Sequence, residues 1–98
     1  MAIINFRSKI AQHIYDGEES RYSRKLPTDL QDKARRLLDQ LNATTQVETL
    51  KIPPGNNLEP LKGELKSYWS IRINKQWRII FQFNQGHASN VDILDYHS

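Results

Sequence analysis

The spacing of the apolar residues changes partway along this chain, and that change restricts the fold class. Over residues 30–41 the apolar positions recur every three to four residues, which is the repeat of an amphipathic helix. From Leu65 onward, apolar and polar residues alternate through the runs 69–73, 77–83 and 91–93, as they do along half-buried strands. We therefore predict an α+β fold in which two N-terminal helices pack on an antiparallel β-sheet.

Both predicted helices carry residues that suit their ends. The first begins near Ser8, which is a suitable N-cap, and ends at Gly17, which suits a left-handed C-terminal cap. The second begins at Thr28, which forms a capping-box pattern with Gln31, and it ends by Asn42.

The strands are separated by short polar breaks of hairpin length, at residues 74–76 and 84–87. Residues 2–6 are a candidate for an extra strand. Because the helices cover one face of the sheet, we expect the other face to be accessible. Arg72 and Arg78 are out of phase with the apolar residues, so they are predicted to project from that accessible face.

The composition limits the kinds of site that the chain can hold. Its 98 residues carry 14 Lys and Arg against 11 Asp and Glu, a net charge of +3, and fit one domain over residues 1–98. The chain has no cysteine and its three histidines are far apart, so we predict no metal site and no cofactor. No apolar run reaches the ~18 residues of a membrane span. We expect a cytoplasmic protein without a membrane partner.

Two segments concentrate the positive charge. One runs from Arg21 to Arg36 with six cations and two acids, and the other runs from Lys62 to Arg78 with a single acid, Glu64. Two interpretations stay open: each segment is a solvated surface, or it binds the phosphates of a nucleic acid. RNA cleavage is within the chemistry of these residues, because the ribose 2′-OH is an internal nucleophile. The protein then needs only a base, an acid and cations.

Three segments together resemble a known family. They are Leu58-Glu59-Pro60-Leu61-Lys62-Gly63, then residues 69–79 with Asn74-Lys75-Gln76-Trp77-Arg78, and the terminal Asp95-Tyr96-His97. In this order and spacing they resemble the HigB branch of the RelE/ParE toxins. The resemblance implies a ribosome-dependent, metal-independent endoribonuclease that cleaves mRNA in the A site of the small ribosomal subunit. It also implies a HigA-like helix-turn-helix antitoxin as partner, and operator DNA bound only through that antitoxin.

The resemblance assigns roles to residues that match its motifs. Lys62 and Arg78 match the family's cations, and we expect both to bind the scissile phosphate. Asp95, Tyr96 and His97 match the terminal triplet, which implies proton transfer and a surface on which a base stacks. Which of these residues is the general base stays open.

Glu59 and Gln76 stand where some relatives have His and Asn. Glu59 is predicted either to act as a base or to be a surface glutamate, and the sequence favours neither. Gln76 is a predicted RNA contact. Three further cations are predicted to bind RNA: Lys66, Arg72 and Lys75.

Two alternatives use the same scaffold. A ParE-like toxin inhibits DNA gyrase without enzymatic activity, and an inactive homologue only binds the antitoxin. The terminal Asp95-Tyr96-His97 together with Lys62 and Arg78 favours the nuclease over a pure binder, which needs no such set of ionisable groups. The nearly complete match to the family's site argues against an inactive homologue.

Overall fold

The computed structural model describes residues 2–96, and in this range it has two α-helices and one four-stranded sheet. The elements, in chain order, are α1 (Lys9–Asp16), α2 (Thr28–Ala43), β1 (Glu59–Pro60), β2 (Trp69–Arg72), β3 (Trp77–Asn84) and β4 (His87–Asp95). Neighbouring strands pair antiparallel in the order β1-β2-β3-β4. The predicted α+β class with an antiparallel sheet is confirmed.

Helix α1 has the ends that its sequence predicts. The Ser8 side chain accepts a hydrogen bond from the backbone N–H of Ala11, which satisfies one of the unpaired donors of the first turn. At the other end, Gly17 adopts φ 71° and its N–H donates to the carbonyls of the last turn. Glycine suits this position because a Cβ disfavours left-handed backbone.

The start of α2 differs from its prediction. The N-cap position is Pro27, and no side chain caps it, so the capping box of Thr28 with Gln31 is wrong. The Gln31 amide instead donates to the carbonyls of Ser23 and Leu26, at 2.9 and 3.0 Å. It therefore ties the helix to the 3-10 turn before it.

The core lies between the helices and one face of the sheet. The helices contribute the fully buried Ile14, Leu38 and Leu41. The sheet contributes a row of isoleucines that face one another across three strands, namely Ile71, Ile79 and Ile93. Trp69 and Trp77 are half-buried and pack against this core, as their phase in the strands predicts.

The opposite face of the sheet is less accessible than predicted. Ser70, Ile80 and Asp92 face one another across three strands there, and all three are buried. Arg7 forms a cover over part of this face, since its guanidinium lies 5.7 Å from the Tyr68 ring centre and its Nε atom lies 3.7 Å from Asp92 Oδ2. The alternation of polar and apolar residues does not reveal such a cover, because Arg7 is distant in sequence.

The segment before α1 runs along β4 without forming a continuous strand. It makes two isolated parallel bridges, Ile3 with Ala88 and Phe6 with Val91. The extra strand predicted for residues 2–6 is therefore reduced to two bridges, which still cover the outer edge of β4. Within residues 2–96 no helix has both the length and the apolar character needed to span a bilayer.

The core predicts a large effect of truncating a helix side chain. Leu38 is fully buried on α2, so Leu38→Ala should lower the free energy of unfolding by about 2–5 kcal/mol. The matched control is Lys33→Ala on the exposed side of the same helix, which should change it by less than about 0.5 kcal/mol. Urea unfolding followed by tryptophan fluorescence measures both, and equal effects would contradict the assigned core.

Candidate functional site

Among the described residues, three side chains contact the guanidinium of Arg78. Its Nη2 atom lies 2.9 Å from Glu59 Oε1, and its Nη1 atom donates to Ser70 Oγ at 2.8 Å. The ring of Tyr96 lies against the cation, 5.3 Å from Cζ to the ring centre. The Arg78 side chain is only 12% exposed, whereas that of Glu59 is 50% exposed. A fixed cation and a carboxylate therefore meet at an accessible position.

The strand register explains why these side chains meet. Arg78 on β3 lies opposite Arg72 on β2, and Glu59 on β1 lies opposite Ser70 on β2. Residues that oppose one another, or that are two apart on one strand, share a face of the sheet. Tyr96 directly follows β4 and completes the group. The site thus occupies the sheet face opposite the helices.

Arg72 and Arg78 put two positive charges directly opposite each other, which is an unfavourable cross-strand pair. Glu59 offsets the charge of Arg78 through the ion pair. Arg72 is half-buried and has no acidic partner within 4 Å among the described residues. The face therefore retains net positive charge beside the site.

The terminal triplet is divided between two places. Tyr96 lies against Arg78. Asp95 instead lies opposite Trp77 in the register, and its carboxylate accepts a hydrogen bond from Gln76 Nε2 at 3.0 Å. The two residues are separated because successive residues of an extended chain point to opposite faces. The third member, His97, lies outside the described residues.

The remaining predicted cations are close in sequence but are not joined to Arg78. Lys62 is exposed in the turn after β1, and Lys66 and Lys75 are exposed as well. No ion pair or hydrogen bond links these three lysines to Arg78 or Glu59 within residues 2–96. They are free to reach a ligand, but the structure does not fix them in place.

Ser70 is the site residue that the sequence analysis missed. It is fully buried, and its hydroxyl accepts from Arg78. The available signal was a small polar residue two positions before Arg72 in a strand, which places it on the face of the cations. Its contact with Arg78 depends on the register between β2 and β3, which the sequence does not supply.

The carboxylates and histidines of the described chain do not gather into a metal-binding group. No set of three or more His, Asp and Glu side chains in residues 2–96 is arranged to hold a metal ion. The site around Arg78 holds one carboxylate beside a cation and an aromatic ring. Such a set suits a nucleotide as its ligand, because the cation can bind the phosphate and the aromatic ring can stack on the nucleobase.

Comparison with known proteins identifies the family. Residues 4–97 match the family described as the RelE-like toxin of the type II toxin–antitoxin system HigB. The chain belongs to the HigB-like toxin family. It is 39% identical over 94 residues to Toxin HigB-1 of Vibrio cholerae, and the match covers 96% of both chains. It is also 50% identical over 40 residues to a protein of Proteus vulgaris named Endoribonuclease HigB, which covers 41% of this chain and 44% of that protein.

Solved structures support the toxin fold. A chain in the YoeB–YefM complex from Staphylococcus aureus superposes with a TM-score of 0.54 at 18% identity, over the full length of both chains. The YoeB/ParE toxin from Agrobacterium tumefaciens superposes with a TM-score of 0.50, also at 18% identity and full coverage. At this identity the likeness concerns the fold alone. The HigB-like chain thus has the fold found in YoeB and ParE toxins.

The buried hydrogen bond between Ser70 and Arg78 predicts a measurable contribution to stability. Ser70→Ala leaves a guanidinium N–H without its partner, so we expect the free energy of unfolding to fall by about 1–3 kcal/mol. The control is Ser89→Ala on β4 of the same sheet, a partly buried serine whose hydroxyl bonds to no other described residue. Urea titration of both variants tests this, and a Ser70→Ala variant as stable as the control would contradict the contact.

Proposed function

We propose that this HigB-like toxin is a ribosome-dependent endoribonuclease that cleaves mRNA in the A site and so inhibits translation. One observation carries the proposal, namely the Arg78 guanidinium held between Glu59 and Ser70 with the Tyr96 ring against it. Family membership supports it, and so does the Proteus vulgaris relative that is named an endoribonuclease.

Arg78 is proposed to bind the scissile phosphate. A guanidinium has five N–H donors, and contacts with one Ser70 oxygen and one Glu59 oxygen leave donors for phosphate oxygens. Because the side chain is already fixed, little conformational entropy is lost when the phosphate binds. Lys62, exposed on the adjacent turn, is proposed to add a second charge to the phosphorane as it forms.

Glu59 is proposed to be the general base. It removes the proton of the 2′-OH, whose oxygen attacks phosphorus, and the bond from phosphorus to the 5′-oxygen breaks. His97, which matches the terminal residue of the family motif, is proposed to protonate that leaving oxygen. The two proton transfers balance, and no other reactant is needed.

The ion pair with Arg78 reduces the repulsion that a carboxylate would otherwise exert on a phosphate in this site. An isolated carboxylate repels an incoming phosphate, whereas Glu59 lies 2.9 Å from a cation that attracts it. The pair therefore presents a base and a phosphate ligand side by side. The observation favours a base over an incidental surface glutamate.

The remaining predicted contacts belong to the same proposal. Tyr96, which is 45% exposed, is proposed to stack on a base of the mRNA. Arg72 and the exposed Lys66 and Lys75 are proposed to bind the RNA backbone near Arg78. Asp95 is proposed to position Gln76, to which it is hydrogen-bonded, for an RNA contact.

An antitoxin is the partner expected for a type II toxin, and we propose one of the HigA-like helix-turn-helix kind. The YoeB structure with a similar fold was solved in complex with YefM, which supports a direct protein complex. Operator DNA is proposed to bind only through the antitoxin. The toxin is proposed to act in the cytoplasm, as one domain over residues 1–98 and without a metal cofactor.

Arg78→Ala is expected to abolish growth arrest and mRNA cleavage, because it removes both the group that binds the phosphate and the ion-pair partner of Glu59. Primer extension on a translated reporter mRNA measures cleavage, and a pull-down measures antitoxin binding, which should persist. The matched control is Lys51→Ala, an exposed cation outside both basic segments, which should retain full toxicity.

The same assay separates the proposed function from its alternatives. New 5′ ends on ribosome-bound mRNA, absent from free mRNA, support the proposal. Cleavage of free RNA contradicts ribosome dependence, and EDTA in that reaction tests its need for metal. Growth arrest without any cleavage contradicts the nuclease and favours a gyrase-inhibiting toxin. Neither arrest nor cleavage favours an inactive antitoxin-binding homologue.

Glu59→Gln tests the proposed base separately. The amide keeps the size of the side chain and can still accept a hydrogen bond from Arg78, but it cannot take a proton. We expect the single-turnover rate on the ribosome to fall by about 10²–10⁴-fold. The control is Glu64→Gln in the next turn, which is exposed and should leave the rate unchanged. A Glu59→Gln rate within two-fold of the parent would assign proton abstraction to another residue.

A further inference from the structure

A second arginine lies on the same face of the sheet as the site. Arg7, from the segment before α1, places its guanidinium against the Tyr68 ring, 5.7 Å from Cζ to the ring centre. Its Nε atom lies 3.7 Å from Asp92 Oδ2. Tyr68 directly precedes β2 and Asp92 lies on β4, so the arginine crosses the sheet above β3.

Both the backbone of Arg7 and the partner of its side chain are held in place. Its backbone N–H donates to the carbonyl of Val91 at 2.8 Å, which holds the main chain against β4. The carboxylate of Asp92 is only 8% exposed, and it also accepts hydrogen bonds from the Ser8 hydroxyl and the Ile93 N–H. The partner of Arg7 is therefore itself immobile.

The Arg7 guanidinium nevertheless keeps its hydrogen-bond donors. Its distance to Asp92 is 3.7 Å, longer than a hydrogen bond, and its side chain donates no hydrogen bond to another described residue. It is 44% exposed. Arg35, by contrast, uses its donors within the protein, to the Ile14 carbonyl at 2.9 Å and to Asp32 at 3.1 Å. Arg35 is a structural arginine, whereas Arg7 retains the capacity to bind a ligand.

The distance from Arg7 to the Arg78 site suits a neighbouring nucleotide. Asp92, Ile80 and Ser70 face one another on successive strands, so Asp92 lies about 10 Å from Ser70 at the usual strand spacing. Tyr68 directly precedes β2 and lies two residues before Ser70, or about 7 Å away at the rise of an extended chain. Ser70 holds Arg78. The residues that hold Arg7 thus lie about 7–10 Å along the sheet from the residue that holds Arg78, which is comparable with the span of one nucleotide of an extended strand.

We propose that Arg7, supported by Tyr68, binds a nucleotide of the mRNA next to the scissile phosphate. The guanidinium plane offers a stacking surface to the base, and its unused N–H groups donate to the phosphate or to the base edge. This inference rests on the proposed function and extends it. The mRNA is then held at two points: Arg78 binds the reacting phosphate, and Arg7 binds the neighbouring nucleotide. Arg7 is then a positioning residue for the substrate.

The test is single-turnover cleavage of mRNA on programmed ribosomes, with the toxin varied to saturation. Arg7→Met keeps an unbranched side chain over Tyr68 but removes the charge and the donors. We expect the rate at saturation to fall by about ten-fold, while the half-saturating toxin concentration stays the same, because ribosome affinity is not affected. The matched control is Lys9→Met, which removes a cation stacked on a different tyrosine, Tyr22 at 5.3 Å, and should change neither value.

Two further measurements distinguish substrate positioning by Arg7 from a purely structural role: the thermal stability of each variant, and the cleavage rates of two Tyr68 variants. Thermal unfolding of each variant is measured beside its rate. Tyr68→Leu keeps Arg7 and its ion pair but removes the aromatic ring, so it should also slow cleavage. Tyr68→Phe keeps the ring and should retain the parental rate. If Arg7→Met proves unfolded, the two Tyr68 variants decide the inference through their rates alone.

The outcomes separate this inference from the proposed function. A parental rate at saturation for Arg7→Met and Tyr68→Leu overturns the inference and leaves the nuclease intact. An effect of Arg7→Met on the half-saturating concentration alone assigns Arg7 to the ribosome and also overturns it. If the parent protein cleaves no mRNA at all, the proposed function fails and the inference fails with it.

Discussion

Strand β3 pairs with both β2 and β4, and its two faces serve different purposes. Ile79 and Phe81 are fully buried against the helices, while Arg78 projects from the other side toward Glu59 and Ser70. Alternation along one strand thus couples the core to the site. A site on a paired strand is more rigid than one on a loop, because the backbone is held by hydrogen bonds on both sides. The position of Arg78 therefore depends on packing at the opposite face of β3.

The charges on this face are arranged at some cost to the free protein. Arg72 and Arg78 oppose each other directly, and like charges in this arrangement are destabilising. Glu59 offsets only part of this repulsion, since its carboxylate is half-exposed and screened by solvent. A phosphate that binds here relieves the repulsion between the arginines. The same charges that disfavour the folded state thus favour a polyanionic ligand, as is common where a binding site has been retained at the expense of stability.

The sequence was sufficient for features that depend on local patterns. The hydrophobic period and the residues at the helix ends located α1 and the strands β2, β3 and β4, whereas the short strand β1 was not predicted. The Asn74–Arg78 segment together with the terminal triplet pointed to the family. The failures have a common physical cause. The capping box at Thr28 failed because Gln31 found carbonyl acceptors in the preceding turn. The contact of Ser70 with Arg78 and the cover formed by Arg7 depend on strand register and on residues distant in sequence, which spacing alone does not supply.

The two cations proposed for the phosphate differ in how they are held, and this difference matters for a reaction in which charge develops at phosphorus. Arg78 is fixed by three contacts, so it is already oriented before the substrate arrives. Lys62 is exposed, so in the proposed mechanism its ammonium group follows the charge as it moves from the 2′-oxygen toward the leaving oxygen. The Glu59 ion pair need not break when RNA binds, because Arg78 retains donors beyond those used by Ser70 and Glu59. A phosphate that shares the guanidinium is therefore brought next to the carboxylate, so in the proposed mechanism binding and proton abstraction both follow from the Arg78–Glu59 ion pair.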